Sequence, residues 1–254
     1  MIVSVINNKG GVGKTTTTLS LATALMRRGK KVLIIDLDSQ MNLTSCAGMK
    51  VTDNVPKIST YLNDERRVDK TGITPEGLYI LAADEELINV EFGLAEMDDM
   101  KEATRVLKKC IMPISRAFDF VFIDCSPNRG TLFMNAMTAS DLLIIPVSND
   151  MAREVLRNIR TAKQGFGIRT EERILITMFD ARRNTDKELA DSLRADFPGR
   201  VFENVIPYNA VFDKAAKHHH SIFEEDESGR GTKAYEALAD EFLADFSDIG
   251  TNTD

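Results

Sequence analysis

The chain reads as an α/β protein built on a single doubly wound, mostly parallel sheet flanked by helices. Three observations predict this. Stretches such as Val32-Leu33-Ile34-Ile35 and Phe120-Val121-Phe122-Ile123 are apolar without alternation, as strands buried on both faces are. Helical patterns separate these stretches along most of the length. The first of them, Ile2-Val3-Ser4-Val5-Ile6, runs through a glycine-rich loop straight into a helical pattern. With 254 residues, 43% hydrophobic and 28% charged, the whole of 1–254 suits one soluble domain.

Taken in order, the loop is Lys9-Gly10-Gly11-Val12-Gly13-Lys14-Thr15-Thr16. Its glycines let the backbone turn tightly, with N–H groups pointing inward toward anionic oxygens. A helix starting near Lys14 adds its positive dipole end. This spacing is that of a phosphate-binding loop, in which Lys14 reaches the β- and γ-phosphates and the Thr15 hydroxyl binds Mg²⁺. Leu19, Ala22, Leu25 and Met26 then recur at helical spacing, and Gly29 after Arg27-Arg28 suits a C-terminal glycine. Residues 31–36 form the second strand, making 2–36 a βαβ unit with a right-handed crossover. It ends in Asp36-Leu37-Asp38-Ser39-Gln40. Ligand groups gather at the carboxyl ends of strands in open α/β sheets, so these carboxylates are predicted to face the phosphates. The competing reading has them capping a turn.

Residues 45–75 are poorly periodic, with a helix or two near Ile58-Ser59-Thr60-Tyr61-Leu62 and loops around Pro56 and Pro75. A short strand is predicted at 78–82. The acidic stretch 84–99 reads as a solvated helical face and not a metal site. An amphipathic helix at 105–117 precedes a buried strand at 118–124 that ends in Asp124, where a carboxylate can hold a water in the Mg²⁺ shell. Cys125-Ser126-Pro127 follows, with nothing nearby in sequence to activate the thiol. Further strands are predicted at 141–147 and 173–179, and helices at 151–163 and 232–246. The tail 247–254 is expected to fray. Lys217-His218-His219-His220 reads as loop surface, because three consecutive imidazoles cannot share one regular face.

The loop, with its second lysine Lys9, resembles the deviant Walker A motif of the ParA/MinD family of P-loop ATPases. The likeness extends over residues 2–246 and implies ATP and Mg²⁺ as cofactors. It implies that Lys9 reaches across a dimer interface to the partner's nucleotide and that Asp38 orients the attacking water in a switch I segment. Asp36 would lie near the magnesium shell, with Thr15 and Asp124. Ser39 and Met41 stand where the family commonly has Pro and Gly. Thr177-Met178-Phe179-Asp180-Ala181-Arg182-Arg183 resembles the family's equivalent stretch. Val205-Ile206-Pro207-Tyr208-Asn209 is similar to its adenine turn, in which Pro207 packs on the base and Asn209 reads its edge.

Within the family the resemblance points to the ParA/Soj-type branch. Members of that branch form ATP-dependent homodimers, bind DNA without sequence preference and meet a ParB-like adaptor that stimulates hydrolysis. Net charge is −7, so DNA contacts would need a local patch. The candidates are Arg182, Arg183, Arg194, Arg200, Lys214, Lys217, Arg230 and Lys233. The acidic C-terminal stretch disfavours an anionic lipid surface. No apolar run is long enough to span a membrane, and Met1-Ile2-Val3-Ser4 enters the first strand at once. A cytoplasmic protein without an N-terminal DNA-reading domain is therefore expected, and the resemblance implies association with the nucleoid. Its cargo is a plasmid, a chromosome or a protein cluster such as a chemoreceptor array or carboxysome.

A metal-cluster carrier or reductase is the rival class. It would need surface cysteines bridging two protomers, and Cys46, Cys110 and Cys125 show no paired spacing. A non-catalytic binding module is opposed by the presence of both lysines and all three carboxylates.

Overall fold

A computed structural model of the chain describes residues 1–50, 52, 54–148 and 151–246. The expected fraying of 247–254 lies outside the described residues. Seven strands form one sheet in the order β3-β4-β2-β5-β1-β6-β7. They are β1 (Ile2–Val5), β2 (Val32–Leu37), β3 (Gly72–Ile73), β4 (Tyr79–Leu81), β5 (Phe120–Cys125), β6 (Leu142–Val147) and β7 (Glu171–Ile176). All neighbouring pairs are parallel except the edge pair β3–β4. The expected βαβ unit is present, but β5 lies between β1 and β2 and pairs with both. That insertion decides the chemistry, because register sets Asp36 opposite Asp124 across β2 and β5.

Alternate residues of the parallel strands feed two cores. Val3, Val5, Ile34, Phe120, Phe122 and Ile144 face α1 (Lys14–Arg27), α2 (Asn42–Cys46), α11 (Ile222–Glu225) and α12 (Arg230–Phe246). Leu33, Ile35, Val121, Ile123, Leu143 and Ile145 face the other layer. That layer contains α3 (Ile58–Asn63), α4 (Leu87–Ala95), α6 (Val106–Ser115), α7 (Thr131–Ala139), α8 (Ala152–Phe166) and α9 (Asn184–Asp196). Two short helices, α5 (Met100–Ala103) and α10 (Val211–His218), complete the described elements. Because both sheet faces are covered, the strands need no polar alternation.

Local chemistry sets the helix ends. Helix α1 starts after Gly13, at φ 86°, and stops at Gly29, at φ 78°; both are left-handed positions that favour glycine. The Gly29 and Lys30 amides close on the carbonyls of Met26 and Leu25, at 2.8 and 3.1 Å. In α12, Tyr235, Leu238, Ala239, Phe242 and Phe246 are buried against the sheet, so its apolar side is occupied. No described helix is long and apolar enough to cross a membrane.

Several helices escaped the sequence analysis, among them α7 and α9 and the shorter α2, α5, α10 and α11. Helix α7 is buried almost all round and shows no helical period, and α9 buries only Leu189, Ala190 and Leu193 in a charged segment. The strand expected at 173–179 is β7 and ends at Ile176, where the chain turns to pair Phe179 with Pro207.

Beyond the sheet's apolar faces, β7 carries a buried carboxylate. Glu172 has a side chain 3% exposed and accepts from Arg160 (2.6 and 2.7 Å), Arg200 (2.9 Å) and Lys163 (3.3 Å). Burial alone would raise its pKa, but Arg160 and Lys163 outweigh burial and hold it below the ordinary 4.5. We expect Glu172→Gln to lower the unfolding free energy by about 1–3 kcal/mol at pH 7, measured by urea denaturation. The loss falls short of that for a fully buried pair because Arg160 and Arg200 reach solvent. The carboxylate's contribution is present above pH 4.5 and is lost as pH falls through its lowered folded pKa, so the gap between the two proteins closes at acid pH.

Candidate active site

The glycine loop leaves β1 and ends at the first turn of α1, and it is anchored at several points. Asn7 is buried; its amide donates to the Pro146 carbonyl (2.7 Å) and its side-chain oxygen accepts from the Lys9 amide (2.9 Å). The Thr177 hydroxyl reaches the Val12 carbonyl (2.9 Å), tying the loop to the exit of β7. Lys14 donates to the Lys9 carbonyl across the loop (3.0 Å). The loop is thus closed on itself by the amine that the sequence assigns to phosphate. The sequence assigns neither residue a role at the loop, because the Pro146 and Val12 carbonyls that Asn7 and Thr177 bind are distant in sequence.

Three carboxylates converge on this loop from the ends of neighbouring strands. Asp36 is fully buried: Oδ1 accepts from the Asp38 amide (3.0 Å) and Oδ2 from both the amide and hydroxyl of Thr44 (2.8 Å each). Burial lifts its pKa to about 6 against these donors. Asp124, 1% exposed, accepts the Thr15 hydroxyl on Oδ2 at 2.6 Å, and its Oδ1 is buried without a hydrogen-bond partner. Burial first, and then the charge of Asp36, pushes its pKa well above the usual carboxylate range, with Thr15 and Lys14 opposing. Lys14 is driven the other way: burial lowers its pKa although Asp124 and Asp38 favour the charged form. Asp38 is 8% exposed and holds the turn by accepting the Gln40 amide (3.0 Å).

The cluster therefore carries more negative than positive charge in a dry setting, with one carboxylate oxygen unbonded beside a threonine hydroxyl. Those features fit a hard divalent cation, which takes oxygen ligands and offsets the carboxylate excess. Asp36 is differently placed. All of its described hydrogen bonds go to the protein's own donors, so it orders the chain around Asp38.

Met41, in the position where the resemblance expects glycine, is left-handed at φ 56° and precedes α2. That conformation costs a non-glycine residue roughly 1–2 kcal/mol. Its side chain packs against the core and offsets part of the cost.

The other expected residues are less concentrated. Lys9 is half-buried, with its amine against the Met151 sulfur. Pro207 pairs with Phe179, and the Asn209 side chain accepts from the Val211 amide (3.1 Å), which fixes the start of α10. A small cleft beside Thr15 and Thr16 is lined by Phe212, Ala215, Ala216 and His220 of the same region.

The eight basic candidates do not form one patch. Arg182 forks onto Asp180, Arg183 lies beside Asp186, and Arg230 donates to the Tyr208 carbonyl, all near the exit of β7. Arg200 binds Glu172 at the opposite end of that strand, and Arg194 lies beside Glu203. Lys214, Lys217 and Lys233 are exposed.

The histidine reading needs correction. His218 ends α10, and His219 adopts a left-handed conformation (φ 58°) that breaks the regular geometry behind the expectation. His218 and His220 consequently converge on Glu225.

Thr44 gave no sequence signal, yet its hydroxyl donates to Asp36 and accepts the Ala83 amide (3.0 Å). The isosteric Thr44→Val removes both bonds and leaves a buried N–H unpaired. We expect a loss of about 2–3 kcal/mol in urea denaturation of the nucleotide-free protein.

Residues 1–176 match the model of the AAA_31 family, an AAA domain. The chain is 32% identical over 251 residues to the sporulation initiation inhibitor protein Soj of Bacillus subtilis (strain 168), covering 96% of this chain and 98% of that one. It is 30% identical over 250 residues to the chromosome partitioning protein ParA of Myxococcus xanthus (strain DK1622), covering 95% and 87%. Among solved structures it is similar to a cobyrinic acid a,c-diamide synthase from Mycobacterium smegmatis with bound ATP analog and magnesium. There the TM-score is 0.79 at 27% identity, over 98% of this chain and 96% of that chain. A plasmid partition protein from Borrelia burgdorferi shares the fold, with a TM-score of 0.75 at 24% identity over 96% and 98%. A glycine loop closed by its own lysine, beside carboxylates on adjacent strands, is thus found in a chain matched along nearly its whole length by Soj and by a chromosome partitioning ParA, and the chain belongs to the ParA/Soj-type partition ATPases of the P-loop class.

Proposed function

We propose that the protein is an ATP-dependent dimerising switch that hydrolyses ATP slowly and positions a DNA or protein cargo. The observation that carries this reading is the cluster of buried Lys14 and Asp124 with half-buried Thr15, in which Asp124 keeps an unbonded oxygen beside the Thr15 hydroxyl. ATP is the nucleotide that the family membership and the analog-bound neighbour support. The amides of Gly10, Gly11, Val12, Gly13 and Thr16 face the phosphates, and Lys14 exchanges its bond to the Lys9 carbonyl for β- and γ-oxygens. Thr15 and Asp124 would hold Mg²⁺, with Asp36 near its shell. The ion, when bound, neutralises charge on the β- and γ-phosphates.

Asp38 orients the attacking water from the turn that Asp36 and Thr44 fix. Pro207 and Asn209 bound the base side. Lys9, half-buried at the start of the loop, carries its amine to the partner subunit's triphosphate. DNA contacts are best supplied by Arg182, Arg183 and Arg230 near the exit of β7, doubled by dimerisation. A ParB-like adaptor that accelerates hydrolysis, and a nucleoid location, complete the reading. Burial of Cys110 and Cys125 argues against a cluster carrier, because neither thiol is on the surface.

Three substitutions test the assignment. Lys14→Ala should reduce ATP affinity by more than 100-fold in equilibrium binding. Lys9→Ala should keep ATP binding but remain a single subunit in analytical ultracentrifugation. Asp38→Ala should bind ATP, dimerise and stay on DNA, with turnover at least tenfold below wild type; rapid turnover in this variant would remove Asp38 from its role.

A further inference from the structure

We propose that His218, His220 and Glu225 form a binding site for a borderline divalent transition-metal ion of the Zn²⁺ type. His218 Nδ1 and His220 Nε2 each lie 2.7 Å from the same oxygen, Glu225 Oε2. The three potential ligand atoms all fall within 4.8 Å of one another. Two imidazole nitrogens and one carboxylate oxygen are a donor set that such ions take, with water in the remaining positions. Imidazole also separates this site from the all-oxygen environment beside Thr15 and Asp124, which suits a hard cation.

The backbone builds the convergence. His219, at φ 58° and ψ 45°, terminates α10 in a left-handed turn. This swings residue 220 back toward residue 218, so two imidazoles that regular structure would separate face one carboxylate. Glu225 is held from behind. Its helix, α11, starts at Ser221, whose hydroxyl accepts the Phe223 amide at 3.2 Å and donates to Glu76 at 2.5 Å. Glu76 also accepts the Ser221 amide at 2.7 Å. The Glu225 side chain is 15% exposed and the His218 side chain 58%, so an ion would enter from the histidine side. On binding, each coordinating ring nitrogen gives up its proton, which moves to the other ring nitrogen or to solvent.

Such an ion would clamp the end of α10 to α11. His220, Ala215, Ala216 and Ile222 of this region line the cleft beside Thr15 and Thr16. His219 meanwhile contacts the Ser45 hydroxyl (3.0 Å) on α2, the helix that follows Asp38. Metal occupancy would therefore stiffen one wall of the nucleotide region without adding a ligand to it.

The test is titration of the untagged, full-length, nucleotide-free protein with Zn²⁺ against a chromophoric chelator, with thermal unfolding in parallel. Wild type should bind one ion per chain at this site and unfold at a higher temperature when loaded. His218→Ala, His220→Ala and Glu225→Gln should each weaken binding at least tenfold, whereas His219→Ala should stay within about twofold. The His218→Ala/His220→Ala double variant, checked for native circular dichroism, should lose the thermal shift. Unchanged affinity in that double variant, or loss of binding in Cys46→Ser with the histidines intact, would overturn the site. Because no nucleotide is present, the outcome is independent of the ATPase reading.

Discussion

Two aspartates side by side on neighbouring strands are the constraint from which the rest of the site follows. Register places Asp36 of β2 opposite Asp124 of β5; burial makes both costly to ionise, and the charge of Asp36 adds to the cost at Asp124. The chain relieves the two unequally. Asp36 receives three protein donors and becomes a fixed post for the turn that carries Asp38. Asp124 receives one hydroxyl and the nearby charge of Lys14, and is left incomplete. An incomplete buried carboxylate is a poor structural element but an effective cation ligand, and this inequality separates scaffold from chemistry.

The same economy shows in the loop. With Lys14 on the Lys9 carbonyl and Thr177 on the Val12 carbonyl, the loop's shape is held by bonds from side chains lying beside it. The Thr177 contact also joins the loop to the exit of β7, and from there through Phe179 to Ile206, Pro207 and Tyr208. The glycine loop and the 205–209 segment proposed to meet the base therefore share one continuous hydrogen-bonded frame.

The turn after Asp38 is less relaxed. Met41 occupies a left-handed position that glycine would take without strain, and its side chain packs on the core. The turn between Asp38 and α2 thus stores some strain next to the residue proposed to hold water, in keeping with strain at functional segments. His219, also left-handed, contacts the far end of α2, so two non-glycine residues in unfavourable conformations border the same short helix.

The sequence by itself determined the sheet class, the loop from Lys9 to Thr16, the strand-end positions of Asp36 and Asp124, and the glycine that stops α1. Each is written in a local pattern: unbroken apolar runs, glycine spacing, or an acid closing a strand. Only the tertiary structure decided that β5 enters between β1 and β2, that Asp36 and Asp124 are cross-strand neighbours, and that Thr44, Asn7 and Thr177 serve the site. It alone set Arg200 at the opposite end of β7 from Arg182, Arg183 and Arg230, and brought His218 and His220 onto one carboxylate. The physical reason is common to all of these. Strand order, hydrogen bonds to backbone distant in sequence, and the direction taken by a left-handed residue depend on how separate segments pack together, and no periodicity within a segment encodes them.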